Sequence, residues 1–258
     1  MQKYAEEVKK EARMRGVSKI ILALTGDMLN SDRRLDEILS MATNRAKASV
    51  IAANLLSYFI HDLNSVANID ITYISGNESR IKDEMGFGEA VNSDNYDTII
   101  YEMLKMIFKD HDGIGFINGD SKEKVLQIKG KNFLITHGEE IKDSQKAIQQ
   151  KIGKYSGSGI DIHYVIFGHI HFANLTDLYT RSGSLVGMNS YSDRALDLVT
   201  RASQVIHIIT EQSTHGMRID LQNYEGFEGY PIQDDLEAYN AKSDSKLHKE
   251  ETILKITI

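Results

Sequence analysis

Four apolar runs in this chain end in the same kind of residue. Lys19–Leu24 runs into Thr25-Gly26-Asp27, Ile69–Ser75 into Gly76-Asn77, Asn132–Thr136 into His137-Gly138, and Asp161–Phe167 into Gly168-His169-Ile170-His171. Taken singly, Asp27 reads as a helix cap or turn residue and Asn77 as a former of left-handed turns. The recurrence is what favours a shared purpose. Glycine lets the backbone turn sharply, and in sheets of α/β type functional groups collect just beyond the strand ends. One carboxylate, one amide oxygen and three imidazoles make a hard-to-borderline ligand set suited to Mn²⁺, Fe²⁺ or Zn²⁺. The sequence has no cysteine, so a metal here must draw on His, Asp, Glu or Asn.

The elements that would position these groups are readable in outline. Residues 1–15 predict an amphipathic helix with Tyr4, Val8 and Ala12 at helical spacing. Lys19–Leu24 predicts a strand buried on both faces. A long helix is expected from a cap at Ser31 or Asp32 to about Leu63. Ile69–Ser75 predicts the next strand, followed by a polar loop around Met85–Asn92 and a helix near Asp94–Lys109. Ile114–Ile117, Lys124–Ile128 and Asn132–Thr136 predict strands, the last two joined as a hairpin through Lys129-Gly130-Lys131. A helix from Asp143 to about Ile152 is expected to enter a flexible loop, KYSGSGI. Asp161–Phe167, Asn174–Tyr179, Ser203–Thr210 and Gly216–Leu221 follow as strands, the last three successive and antiparallel. Thr252–Ile258 alternates in the manner of an edge strand. His163 falls inside a strand and reads as a packed or edge residue, while His61, His111, His207, His215 and His248 show no recurrent context. Ser182-Gly183-Ser184 reads as a tight turn.

Composition sets the bounds. The chain has 258 residues, 41% of them hydrophobic and 26% charged, which suits a globular protein with a sizeable core. No apolar run approaches the roughly 18 residues that span a bilayer, and the charged N-terminus does not resemble a secretory signal. A cytoplasmic location, that of a host cell included, is the expectation. The net charge of −7 argues against a broad nucleic-acid-binding surface and leaves room for a local basic groove.

Read in order, GD, GNE, HG and GHxH resemble the calcineurin-like metallophosphoesterase family, from about Lys19 to Ala173, and GDMLNSDRR, SGNESR and RSGSLVG look most like its phage-type members. The resemblance implies a four-layer αββα sandwich carrying two divalent metals, Mn²⁺ foremost, with Fe²⁺, Zn²⁺ or Ni²⁺ as alternatives. It implies that Asp27 bridges the metals, that Asn77, His137 and His169 complete one site, and that His171 faces the other. Two metals about 3.5–4 Å apart would clamp a phosphate and acidify the attacking water. The expected function is hydrolysis of a phosphate ester, foremost a phosphodiester of DNA or a nucleotide, by a metal-bound hydroxide. A metallophosphoesterase domain is expected over residues 1–228, with a polar tail over 229–258.

The sequence departs from the family in two places. The family opens with Asp-x-His on a first strand, whereas Met1–Gly26 holds neither Asp nor His. The expectation is an N-terminally truncated domain lacking its first strand, with one metal site complete. Where the family reads Gly-Asn-His, this chain has Gly76-Asn77-Glu78. Glu78 could replace the missing acid only with a raised pKa, and serves equally as a supporting loop residue; Arg80 offers a planar fork for phosphate. The alternative is a catalytically impaired fragment that binds a single metal and works through a partner, whether a separate N-terminal segment or a second copy of itself. A nucleic-acid-binding module without chemistry is the third reading.

Overall fold

The apolar side chains on the two faces of the first sheet each meet a packing layer. The computed structural model describes residues 1–81, 93–141, 145–187 and 200–234. Gln2–Arg15 forms α1, which buries Ala5, Lys9 and Ala12 and ends at Gly16 in the left-handed region, where glycine pays no steric cost. Lys19–Leu24 is β1, Leu35–Ser40 is α2, Arg45–Asn64 is α3 and Asn68–Tyr73 is β2. Tyr96–Ile107 is α4 and Ile114–Phe116 is β3. The strands β1, β2 and β3 form a parallel three-stranded sheet, in register from Lys19 opposite Asn68 to Leu24 opposite Tyr73. Ile20, Leu22, Leu24, Ile69, Ile71 and Tyr73 pack toward Phe59, Ile60 and Leu63 of α3 and Ile100, Tyr101 and Leu104 of α4. Burying each such side chain contributes roughly 1.5–3 kcal/mol.

The alternate residues of the same strands face a second sheet. Ile21, Ala23 and Ile74 meet Leu126, Ile128 and Ile135, which belong to the hairpin of Glu123–Ile128 (β4) and Lys131–Thr136 (β5). Lys129 and Gly130 both have positive φ, 50° and 77°, the signature of a two-residue turn whose twist matches its strands. Gln145–Gly157 is α5, Ile162–Phe167 is β6, Asn174–Leu175 is β7 and Tyr179–Arg181 is β8. The sheet order is β4-β5-β6-β8-β7, with β5, β6 and β8 parallel. Ile148 of α5 closes the outer face against Leu134, Val165 and Phe167. Helices, sheet, sheet and helix thus make the four layers expected. Ser203–Ile209 (β9) and Thr214–Asp220 (β10) form a separate antiparallel ribbon. Tyr4 Oη of α1 donates to the Val205 carbonyl and Lys131 Nζ to that of Thr210, so the ribbon ties the helical layer to the second sheet.

Three sequence expectations need correction. The long helix from Ser31 to Leu63 is two helices, because the Asn44 side chain accepts from the Lys47 N–H and starts α3 anew, while Met41 is extended. Asn competes with the helix for backbone donors, which makes it a cap rather than a passenger. The KYSGSGI loop is helical as far as Gly157; Lys151 pairs with Glu123, and Tyr155 packs on the core beneath α5. The strand Asn174–Tyr179 is a tight hairpin, since Thr176 Oγ1 takes the N–H groups of Leu178 and Tyr179. The loop Met85–Asn92, the start of the helix at Asp143 and the edge strand Thr252–Ile258 lie outside the described residues. Among the residues expected to form the tail, Gly229 and Tyr230 bond to Gln2 of α1 and Asp62 of α3.

Candidate metal centre

Two glycines bring the first sheet's strand ends together. A Cβ at Gly76 would fall 2.1 Å from Asp27 Oδ1, and one at Gly26 would fall 2.6 Å from Gly76 N and 2.7 Å from His137 Nδ1. No side chain fits at either place, so the segments after β1 and β2 touch through backbone. In the second sheet, the Gly168 N–H donates to the His137 carbonyl at 2.9 Å and holds the end of β6 beside that of β5. Asp27 and His169 adopt φ of 55° and 65°; with Lys129 they are the non-glycine residues of positive φ among the described residues. Such backbone is costly and persists where its surroundings over-determine it.

The side chains converge on one nitrogen. His137 Nε2 lies 2.9 Å from Asn77 Oδ1, 3.1 Å from Asp27 Oδ2 and 3.2 Å from His169 Nδ1. His137 Nδ1 lies 2.7 Å from the Thr25 carbonyl, an acceptor only, so Nδ1 carries the hydrogen and Nε2 presents its lone pair. Asp27 Oδ1 accepts from the Glu78 N–H at 2.7 Å, which leaves Oδ2 for the cluster. Asn77 Nδ2 donates to Glu78 Oε1 at 2.6 Å and so turns its oxygen toward His137. Two oxygens and two imidazole nitrogens therefore crowd one spot, and with the His169 hydrogen on Nε2 all four present lone pairs. A positive charge at its centre would satisfy all four, and the oxygen and imidazole donors fit a divalent cation of borderline hardness. Asp27, His137 and His169 each bring a ligand atom within 4.8 Å of the others.

The Asp27 carboxylate and the His137 imidazole favour each other's charged forms. Burial opposes ionisation of Asp27, but the His137 imidazole, the Glu78 N–H and His169 outweigh it, and the pKa lies below the ordinary carboxylate value. Burial likewise opposes charge on His137, and Asp27 beside it turns the balance upward. His169 is pushed down, first by burial and then by His137.

The structure thus brings together Asp27, Asn77, His137 and His169. His171 is not in the group that shares the 4.8 Å spacing; its carbonyl accepts from the Ser184 N–H. Glu78 is engaged by Arg33, at 3.0 Å, as well as by Asn77. Arg80 presents its fork to Glu139. Three contributors escaped the sequence reading. Arg33 sits over the Asn77 carbonyl and Glu78. Arg45, buried and stacked on Tyr96, donates to the carbonyls of Glu78 and Arg80 and fixes that loop. Asp97, fully buried, accepts from the backbone of both ligand segments. Nothing in the local sequence marks these residues, since an Arg in a helix start and an Asp in a first turn are commonplace.

No protein-family model matches this sequence, and no curated protein matches it. Among solved structures, the chain is similar to wild-type Vps29 from Entamoeba histolytica, complexed with Zn²⁺, at 16% identity over 78% of this chain and 98% of that one, with a TM-score of 0.41. It is also similar to a conserved protein from Streptococcus pneumoniae described as a predicted phosphoesterase, at 12% identity over 83% and 92%, TM-score 0.38. Vps29 from Cryptosporidium parvum gives 12% identity over 79% and 97%, TM-score 0.34. The likeness is one of chain course.

Proposed function

We propose that this chain is a divalent-metal-dependent phosphoesterase of the calcineurin-like metallophosphoesterase type. The observation that carries the reading is the convergence of Asp27 Oδ2, Asn77 Oδ1 and His169 Nδ1 on His137 Nε2, all within 3.2 Å. These four atoms would hold the metal. Bound there, a divalent ion, Mn²⁺ foremost, would supply Lewis acidity toward a phosphate oxygen and lower the pKa of nearby water. The protein's own part is positional. His137 is locked in one tautomer by the Thr25 carbonyl, and Asp27 is aimed by the Glu78 N–H. Arg33, beside Asn77, and Arg80, beyond Glu78, bring planar cationic forks to the rim, suited to an anionic phosphodiester such as DNA or a nucleotide. We assign Glu78 the task of holding Arg33 and Asn77, which both bind its carboxylate.

A second reading, a metal-binding fragment with little turnover that acts through a partner, is favoured by one observation. The described residues assemble a single ligand group, and His171 stands outside it. Hydrolysis of bis(p-nitrophenyl) phosphate with added Mn²⁺ separates the two. The phosphoesterase reading expects metal-dependent turnover that falls at least about a hundredfold in Asp27→Ala. Tight Mn²⁺ binding without turnover would transfer the case to the fragment reading.

A further inference from the structure

An acid in the first turn of a helix ordinarily caps its own helix's free N–H groups. Asp97 does otherwise. The cap of α4 is Asn95, whose Oδ1 accepts from the Asp97 N–H at 2.8 Å. That leaves both Asp97 oxygens to other segments. Oδ2 accepts from Asp27 N at 3.0 Å and from Gly76 N at 2.8 Å, and Oδ1 accepts from Met28 N at 3.0 Å. Asn95 Nδ2 meanwhile donates to the Gly76 carbonyl at 2.8 Å, so both polar groups of Gly76 are held by the start of α4. Ser79 extends the link: its hydroxyl reaches Asp97 and also meets the backbone of Leu29. Asp97 and Ser79 are fully buried, and Asn95 nearly so.

These bonds fall on the peptides that aim the metal ligands. The Asp27 N–H fixes a residue at φ 55°, and the Gly76 N–H precedes Asn77. We propose that Asp97 is a positioning residue: it binds no metal, and it sets the metal affinity of the site by clamping the segment after β1 to the segment after β2. The inference rests on the metal-centre reading above. A carboxylate is needed because three N–H groups and a hydroxyl point at it; an amide of the same shape would turn an NH₂ toward a backbone donor.

The test is a Mn²⁺ titration followed by the electron paramagnetic resonance of the free ion, a readout independent of turnover. Four proteins are compared: the unaltered chain, Asp97→Asn, Asp27→Asn and the double variant, with circular dichroism to check folding. Outer-shell partners of metal ligands typically contribute about 10–100-fold in affinity, and Asp97→Asn is expected to weaken Mn²⁺ binding in that range. In the Asp27→Asn background the same change should cost several-fold less, because the charged ligand it positions is gone and only its hold on the Asn77 segment through Gly76 remains. Affinity equal to the unaltered chain, or the same loss in both backgrounds, would overturn the proposal. Should Asp97→Asn fail to fold, Ser79→Ala replaces it, with a smaller loss expected in the same pattern and no loss counting against. Failure of the unaltered chain to bind Mn²⁺ is a different result, and it would remove the metal reading itself.

Discussion

Gly76 shows how much a missing side chain can do. Its peptide is gripped at both ends by α4, and its bare Cα leaves room for the Asp27 carboxylate. In Gly76→Ala the methyl would sit 2.1 Å from Asp27 Oδ1, and one of the two must move. The expected outcome is a loss of roughly 1–3 kcal/mol of stability, typical of overpacking, together with a larger loss of Mn²⁺ affinity. Thermal unfolding and metal titration on the same sample check both; affinity retained while stability falls would mean that Asp27 finds its place without this clearance. At this scale the sequence was legible in its ligands and opaque in their supports. Asp27, Asn77, His137 and His169 stand out because each follows a strand beside a glycine. Asp97, Arg33 and Arg45 act across gaps in sequence that no local pattern spans, and only the fold reveals what they touch.

Elements were legible where one period ran cleanly. The strands β1, β2, β5 and β6 are short apolar runs bounded by glycine, and the α1 stripe has the spacing of a helix face. The break between α2 and α3 was hidden because Ala, Leu and Ile continue on either side of it, and a single Asn44 cap decides the boundary. The β9–β10 ribbon was legible as strands, but its chemistry was not. His207 is enclosed against the edge of Tyr164, neither ring nitrogen has a partner among the described residues, and burial pushes its pKa down to about 4. The unfolded chain takes up this proton near pH 6.5. The folded pKa is the lower one, so the unfolded state binds more protons between the two values, and stability falls with acid over that window. The contribution is fully present above about pH 6.5 and is lost as the pH drops toward 4. His207→Phe keeps a ring in the pocket and removes the titration, so urea unfolding between pH 7 and pH 4 should show a shallower decline than the unaltered chain. An identical slope would locate the acid sensitivity elsewhere.

At the scale of the whole molecule, no described helix is long and apolar enough to cross a membrane, and the four layers enclose two cores on either side of the second sheet and one beneath the helices. The ligands are divided across this architecture. Asp27 and Asn77 leave the first sheet, while His137 and His169 leave the second. A cation held by all four has its full set of contacts only after both sheets are built and pressed face to face, which places its contribution late on the folding route. Interactions absent from the transition state retard unfolding and leave the folding rate nearly unchanged. Added Mn²⁺ should therefore slow unfolding in a stopped-flow denaturant jump without hastening refolding; a faster refolding limb would mean that the cluster assembles early. Where proteolysis is limited by global opening, how long each copy of this protein survives would then follow the metal supply around it.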